Sequence, residues 1–390
     1  MRTIGVVTVA RSDYGIYQPV LQALRAHPEM EPHLVVGGMH LSPEFGLTVR
    51  EIEADGFPIR ERVEMLLSSD SPEGIGKAIG LGTIGFAQVY ARFRPDLLLT
   101  LGDRFEMYAA VLAALPFKIP VAHLHGGEVT EGAMDEALRH SITKLSHLHF
   151  VATEEYGRRV RQMGEEPWRV IVSGAPSLDG IGSLDAVPAS ELESRFGLDL
   201  TIPPLVVTYH PVTLEYERTT WQVEQLLAAL KRVGLPIVFT APNADVAGRA
   251  VAALIRDFVA SHPKARFVVN LGRRGYFGLM RLAAAMVGNS SSGIIEAASF
   301  QLPVVNVGTR QRGRVRAANV IDVDNEAEAI TAGVARAVSS EFRRGLAGLK
   351  NPYGDGKAAE RIADTLGKVP LDDSLIMKRF YDLADPAYVG

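Results

Sequence analysis

The chain has 390 residues, 47% of them apolar and 22% charged, a balance that two packed domains can bury and that leaves no long tract too polar to fold. Its formal net charge of -4, with both signs mixed along the chain, supplies no field for holding nucleic acid or an anionic membrane surface. Cysteine is absent, which excludes disulfides, thiolate nucleophiles and thiolate metal sites. The opening residues read as a strand and not as a leader, and no apolar run nears the ~18 residues of a membrane span, so a cytoplasmic protein is expected.

In chain order, short apolar runs at 4–10, 34–37, 97–101, 121–125, 149–152 and 170–173 alternate with segments of helical period at 17–26, 43–55, 74–92, 106–114, 133–146 and 155–163. Strands buried on both faces of a parallel sheet look like such runs, and their alternation with helices predicts a doubly wound sheet. The second half repeats the scheme at 205–209, 237–240, 267–270, 286–288, 304–307 and 320–323. The expected fold is therefore α/β, with two Rossmann-like doubly wound parallel-sheet domains. A stretch rich in Gly, Ser, Pro and Asp at 174–204, with a short helix at 189–195, marks the crossover between domains at 1–174 and 175–367. A last segment, 368–390, which includes Pro370, is expected to pack back on the first domain. Open parallel sheets bind ligands beyond the carboxyl ends of their strands, so the two domains are expected to face each other across a cleft.

Polar residues do gather after the strands. Arg11-Ser12-Asp13-Tyr14-Gly15 opens a helix, where Arg11 and the helix start suit a phosphate, or where Arg11 is a surface residue beside an N-cap. Gly102-Asp103-Arg104 follows 97–101; Asp103 either exchanges a proton at a desolvated strand end or caps the next helix. In His123-Leu124-His125-Gly126-Gly127-Glu128, period two sets both histidines on one side, and the glycines permit close approach of a ligand. His125 lines the site or is a core histidine; a third ligand at a recognised spacing is missing, so no metal is expected. Helical spacing pairs Asp135 with Arg139 and Glu136 with His140, and separates Asp135 from Glu136 by about 100°, so one of these acids is expected at the cleft.

In the second half His210, between a buried strand and Pro211, is placed to act as acid or base. Asn243 is a similar polar tip or a turn residue. Gly288-Asn289-Ser290-Ser291-Ser292-Gly293 joins an apolar run to a helix expected at 294–300. Its hydroxyls, small residues and backbone N–H groups form a diphosphate cradle, and with neither a Walker A lysine nor GxGxxG it weighs against ATPase and dinucleotide readings. Glu296, inside that helix, is placed to accept from ribose hydroxyls. The run 308–314 adds several positive charges, one of which, Arg310, is a candidate phosphate ligand.

Together and in this order, from Arg11 to Asn351-Pro352-Tyr353-Gly354, these motifs resemble the hydrolysing UDP-N-acetylglucosamine 2-epimerases of bacterial sialic acid biosynthesis. The resemblance implies the glycosyltransferase-B architecture, a homodimer, no cofactor, and conversion of UDP-N-acetylglucosamine and water to N-acetylmannosamine and UDP. It implies Asp103, Asp135 or Glu136, and His210 as acid and base groups, with Ser290, Ser291, Arg310 and Arg11 on the diphosphate and Glu296 on the ribose. Asp13, Asn243, Ser292 and Gly293 complete the expected substrate contacts. Non-hydrolysing and animal enzymes carry a glutamate where this chain has His125, whereas the bacterial hydrolysing branch shows His-Gly-Gly-Glu ending at Glu128; both residues join the catalytic candidates. Enzymes acting on UDP-2,4-diacetamido-2,4,6-trideoxyglucose in legionaminic acid synthesis share these motifs and form the alternative. A glycosyltransferase and a catalytically silent UDP-sugar sensor are the rivals, and release of free sugar without an acceptor separates them from the hydrolase.

Overall fold

The computed structural model describes the chain apart from residues 69–70, 132–133, 183–186, 242–247 and 384–390, and apart from the side chains of 213, 214 and 249. Seven strands, β1 (Arg2–Thr8), β2 (Met30–Gly37), β3 (Ile59–Val63), β4 (Leu97–Leu101), β5 (Val121–Leu124), β6 (Leu148–Val151) and β7 (Val170–Val172), form one sheet in the order β3-β2-β1-β4-β5-β6-β7. Every pairing is parallel. Alternate side chains serve opposite faces. Val6, Leu34, Val36, Leu97 and Leu99 meet the helices Arg11–Ala26 and Ala358–Lys368, while Val7, Val35 and Leu98 meet Pro72–Arg92 and Phe105–Ala114.

Six further strands, β8 (Leu205–Thr208), β9 (Ile237–Thr240), β10 (Ala265–Val268), β11 (Ala285–Gly288), β12 (Val304–Val307) and β13 (Val320–Val323), form a second parallel sheet in the order β10-β9-β8-β11-β12-β13. Leu205, Val207, Phe239, Val305 and Val307 form a core there with residues of the helices Thr219–Val233, Gly248–Ser261 and Ala327–Ala337. Two doubly wound sheets thus arise from the two series of apolar runs. In each, strand order reverses beside the first strand, between β1 and β4 and between β8 and β11, and loops diverging at such a point leave room for a ligand.

Three local features differ from the sequence reading. β3 has exposed and half-buried positions with Arg60, Glu61 and Arg62 among them, so its apolar run is broken; it is an edge strand. The helix expected at 17–26 starts at Arg11, directly after β1. Residues 43–55 hold a 3₁₀ turn, Pro43–Phe45, before the helix Val49–Ala54.

The chain divides into two compact units, one of Met1–Glu128, Met134–Asp179 and Tyr353–Gly390, the other of Val129–Ala133 and Gly180–Pro352. The return to the first unit therefore begins at Tyr353 and not at 368. Tyr353 O accepts from Ala175 N at 2.7 Å, and its hydroxyl lies 2.9 Å from that of Tyr156. Asp179 accepts from Ala358 N and Ala359 N, which caps the helix Ala358–Lys368, and Ile362 and Leu366 of that helix join the first core. Further on, buried Arg169 donates to the carbonyls of Ser374, Leu375 and Met377. Lys378 Nζ reaches Glu165 Oε1 at 2.9 Å, and hydrogen bonds from His149, Lys144 and Lys378 overcome the effect of burial to hold the Glu165 carboxyl at about 2. Among the described residues no helix is long and apolar enough to cross a membrane.

Candidate active site

In the first unit the polar residues stand at the carboxyl ends of β1, β4 and β5, which are adjacent in the sheet. Asp13, expected among the substrate contacts, is instead buried, its oxygens accepting from Thr8 Oγ1 (2.9 Å), Val9 N (2.9 Å) and Ala10 N (3.0 Å). It fixes the turn out of β1 and leaves Arg11 exposed at the helix start. Asp103 does not cap the following helix, whose N-cap is Arg104 without a side-chain cap bond; its carboxylate accepts from Arg139, which is buried. Arg104 forks onto Glu106 at 3.2 and 3.0 Å. Burial works against its charge, but Glu106 and the further fields of Asp13 and Asp135 outweigh burial and make the guanidinium harder to deprotonate.

After β5 the two histidines part company. His123 is fully buried, with Nε2 on Gly102 O at 2.8 Å and Nδ1 3.2 Å from Thr143 Oγ1, and burial pushes its pKa down to about 3. It is a neutral structural residue. His125 lies beyond the last strand residue with φ at 63°, so period two no longer applies to it, and its Nδ1 donates to Glu128 Oε1 at 2.5 Å. Gly127 follows at φ 73°, where a Cβ would lie 2.5 Å from Tyr156 O. No other residue type fits that turn. On the helix Met134–Leu145, Glu136 and His140 pair at 3.2 Å, and both Asp135 and Glu136 are partly exposed.

In the second unit Asn289 organises the site. Its Oδ1 accepts from His210 N at 2.7 Å and its Nδ2 donates to His210 O at 2.8 Å, tying the end of β8 to the end of β11. Its carbonyl accepts from Arg310 Nη1 at 3.1 Å and Gln311 Nε2 at 2.8 Å, which adds the loop after β12. Gly288, at φ 129°, abuts Thr208 O with no room for a Cβ. Ser290 is the N-cap of the short helix Ser291–Ile295 and accepts from Ser292 N. The Tyr276 hydroxyl shares hydrogen bonds with Ser292, Thr208 and Ser290, and burial pushes its pKa up to about 12. Glu296 is not inside a continuous helix; it is the hinge between Ser291–Ile295 and the 3₁₀ turn Ala297–Phe300, and is buried. His210 is held down to about 3 by burial and by Arg310, so at neutral pH it is an uncharged imidazole, with one ring nitrogen protonated and the other carrying a lone pair. Asn243 lies outside the described residues. Of the arginines after Arg310, Arg312 is exposed, Arg314 donates to Val129 O and Arg316 pairs with Asp322.

Asn289 and Tyr276 were missed as site residues. Asn289 stood in the serine-rich motif, where a fully polar strand terminus was its only signal; Tyr276 lies on the helix Gly272–Leu282, remote in sequence from the hydroxyls it meets.

The model of the family described as UDP-N-acetylglucosamine 2-epimerase matches residues 22–367. The UDP-N,N'-diacetylbacillosamine 2-epimerase (hydrolyzing) of Legionella pneumophila is 39% identical, over 97% of this chain and 99% of its own. The GDP/UDP-N,N'-diacetylbacillosamine 2-epimerase (hydrolyzing) of Campylobacter jejuni is 35% identical, over 98% and 99%. The structure of UDP-GlcNAc 2-epimerase from Neisseria meningitidis bound to UDP-GlcNAc superposes with a TM-score of 0.81 over 95% of this chain and all of that one, at 21% identity, which shows the shared glycosyltransferase-B-like fold. With the family model spanning most of the chain and two relatives matched nearly end to end, the chain belongs to the UDP-N-acetylglucosamine 2-epimerase family.

Proposed function

We propose that the chain is a hydrolysing 2-epimerase that converts UDP-N,N'-diacetylbacillosamine, the 2,4-diacetamido-2,4,6-trideoxy sugar nucleotide, and water to UDP and the free sugar inverted at C2. The observation that carries this reading is the near end-to-end likeness, at 39% identity, to a hydrolysing enzyme named for that substrate. UDP-N-acetylglucosamine, favoured by the motifs alone, is the second reading, supported by the name of the family model. The two sugars differ at C4 and C6, and a site built around a hydroxyl rejects its absence strongly.

The chemistry divides between the units. In the second, Ser290, Ser291, Ser292 and Gly293 with Arg310 hold the diphosphate, and Glu296 the ribose; the small residues and the arginine suit an anion. In the first, Asp103, Asp135, Glu136, His125 and Glu128 supply groups for moving protons on the sugar; in the second, His210 is a further acid or base group. Removal of the C2 proton with departure of UDP gives a 2-acetamidoglucal; water then adds at C1 as C2 is protonated from the opposite face. Arg139 donates to the Asp103 carboxylate and holds it in place.

Proton NMR of the protein with each sugar nucleotide in D2O tests this. The expected result is free sugar inverted and deuterated at C2, formed faster from the diacetamido substrate. Faster turnover of UDP-N-acetylglucosamine moves the assignment to the second reading, and no turnover of either rejects the activity.

A further inference from the structure

His125 combines three unfavourable features. Its φ of 63° is one that residues with a Cβ seldom adopt. It is buried beside a buried carboxylate, Glu128. Its Nε2 is buried with no hydrogen-bond partner among the described residues, which is unfavourable for a polar atom. His123, two residues earlier, has both ring nitrogens engaged.

The geometry fixes what that ring offers. Glu128 accepts from Nδ1, so the neutral imidazole carries its proton there and presents a lone pair at Nε2. The carboxylate also stabilises the imidazolium that forms when Nε2 takes a proton. A lone pair backed by a negative charge is unsuited to a diphosphate and suited to a C–H or O–H proton. Gly127, at φ 73°, lets the chain double back so that Glu128 reaches the ring three residues on.

Resting on the activity proposed above, we propose that His125 Nε2 is the base that removes the C2 proton of the sugar, and that Glu128 is its positioning residue. As the C2–H bond breaks, its electron pair becomes the C1=C2 bond, the C1–O bond leaves with its pair on UDP, and the proton rests on Nε2. In the second half water gives hydroxyl to C1, a different acid gives a proton to the other face of C2 and is recharged by the water proton, and the imidazolium releases its proton to solvent.

The experiment uses the full chain, UDP-N,N'-diacetylbacillosamine, and the variants His125→Gly, chosen because glycine accepts the left-handed backbone, and Glu128→Gln. UDP release, hydration of separately supplied 2-acetamidoglucal, UDP affinity and thermal unfolding are measured for each. In His125→Gly, UDP release falls by about 100-fold or more, hydration of the glucal stays within about tenfold, UDP affinity stays within about threefold, and added imidazole restores part of the release. In Glu128→Gln the loss is smaller, and the acid limb of the kcat/KM profile moves to lower pH because the imidazolium has lost its counter-charge. UDP release that survives in His125→Gly, or glucal hydration lost in place of it, overturns the assignment. Should His125→Gly not fold, an unshifted acid limb in Glu128→Gln overturns it instead. A wild type that turns over neither sugar nucleotide removes the activity and the base together, whereas an active wild type with unaffected variants removes only the base.

Discussion

At the strand ends of the first unit, Asp103 with Arg139 and Arg104 with Glu106 set charge against charge, and His125 donates to the Glu128 carboxylate, much of this buried. At the same topological place in the second unit, Asn289, Ser290, Thr208 and Tyr276 are neutral hydrogen-bonding groups, with Arg310 alongside. One sheet plan thus carries two chemistries. Paired charges set the protonation of individual groups, which is what proton transfer requires, whereas a rigid array of small polar groups recognises an anion without exchanging protons with it. Changes in the first unit should therefore alter rate with little effect on affinity, and changes in the second, His210 apart, the reverse.

The largest effect is expected from Asp103→Asn, which removes the charge bonded to Arg139. Turnover should fall by about 10²–10⁴-fold while the UDP dissociation constant, read by calorimetry, stays within a few-fold. His210→Ala is expected to do the same from the second unit, so an affinity loss without a rate loss there would confine proton transfer to the first. Next, Ser291→Ala combined with Arg310→Ala should weaken UDP binding by about 10- to 100-fold, on the scale of one charge-assisted hydrogen bond of about 1.5–3 kcal/mol. An unchanged dissociation constant removes the cradle. Asn289→Ala leaves the His210 N–H and carbonyl without their present partner, and is expected to lower stability by about 1–3 kcal/mol in denaturant titration and to weaken UDP binding.

A last effect concerns pH and does not distinguish the units. His123 in one and His210 in the other are held neutral near a pKa of about 3, against 6.5 when unperturbed. Below 6.5 the unfolded chain binds protons that the folded chain does not, so stability should fall as pH drops from 6.5 towards 3, with a slope of up to ~1.4 kcal/mol per pH unit for each group. The Glu165 carboxyl, depressed to about 2, adds a loss in the same direction below its ordinary 4.5. Melting temperatures that are level between pH 7 and 5 would contradict this.

The parallel strands were legible because strands covered on both faces must be apolar throughout: Leu97-Leu98-Leu99 feeds both cores and reads as a strand in any context. β3 was not, since an edge strand tolerates Arg60 and Glu61 and loses the pattern. Loops after strands pointed to the segments where polar side chains gather, yet the direction of each side chain was beyond them. Asp13 turned back on its own loop, and Asp103 turned to Arg139 and not to its helix. The left-handed backbone of His125 left a trace only in the two glycines after it, and Tyr276 left none, because the hydroxyls it meets are brought to it by the sheet.

The first unit is assembled from both ends of the chain: Tyr14, Tyr17, Leu21 and Leu24 share a core with Ile362, Leu366 and Leu375. Gly180–Pro352, nearly all of the second unit, is an uninterrupted stretch. During synthesis the second unit thus has most of its residues in hand while the first, begun earlier, still lacks a wall, and its tyrosine-bearing helix face waits for residues beyond 352. Contacts of such sequence separation close slowly and leave apolar surface open meanwhile. A ribosome therefore delivers the later half as the earlier folder, and a chain clipped near residue 352 is expected to lose the first unit while sparing the second.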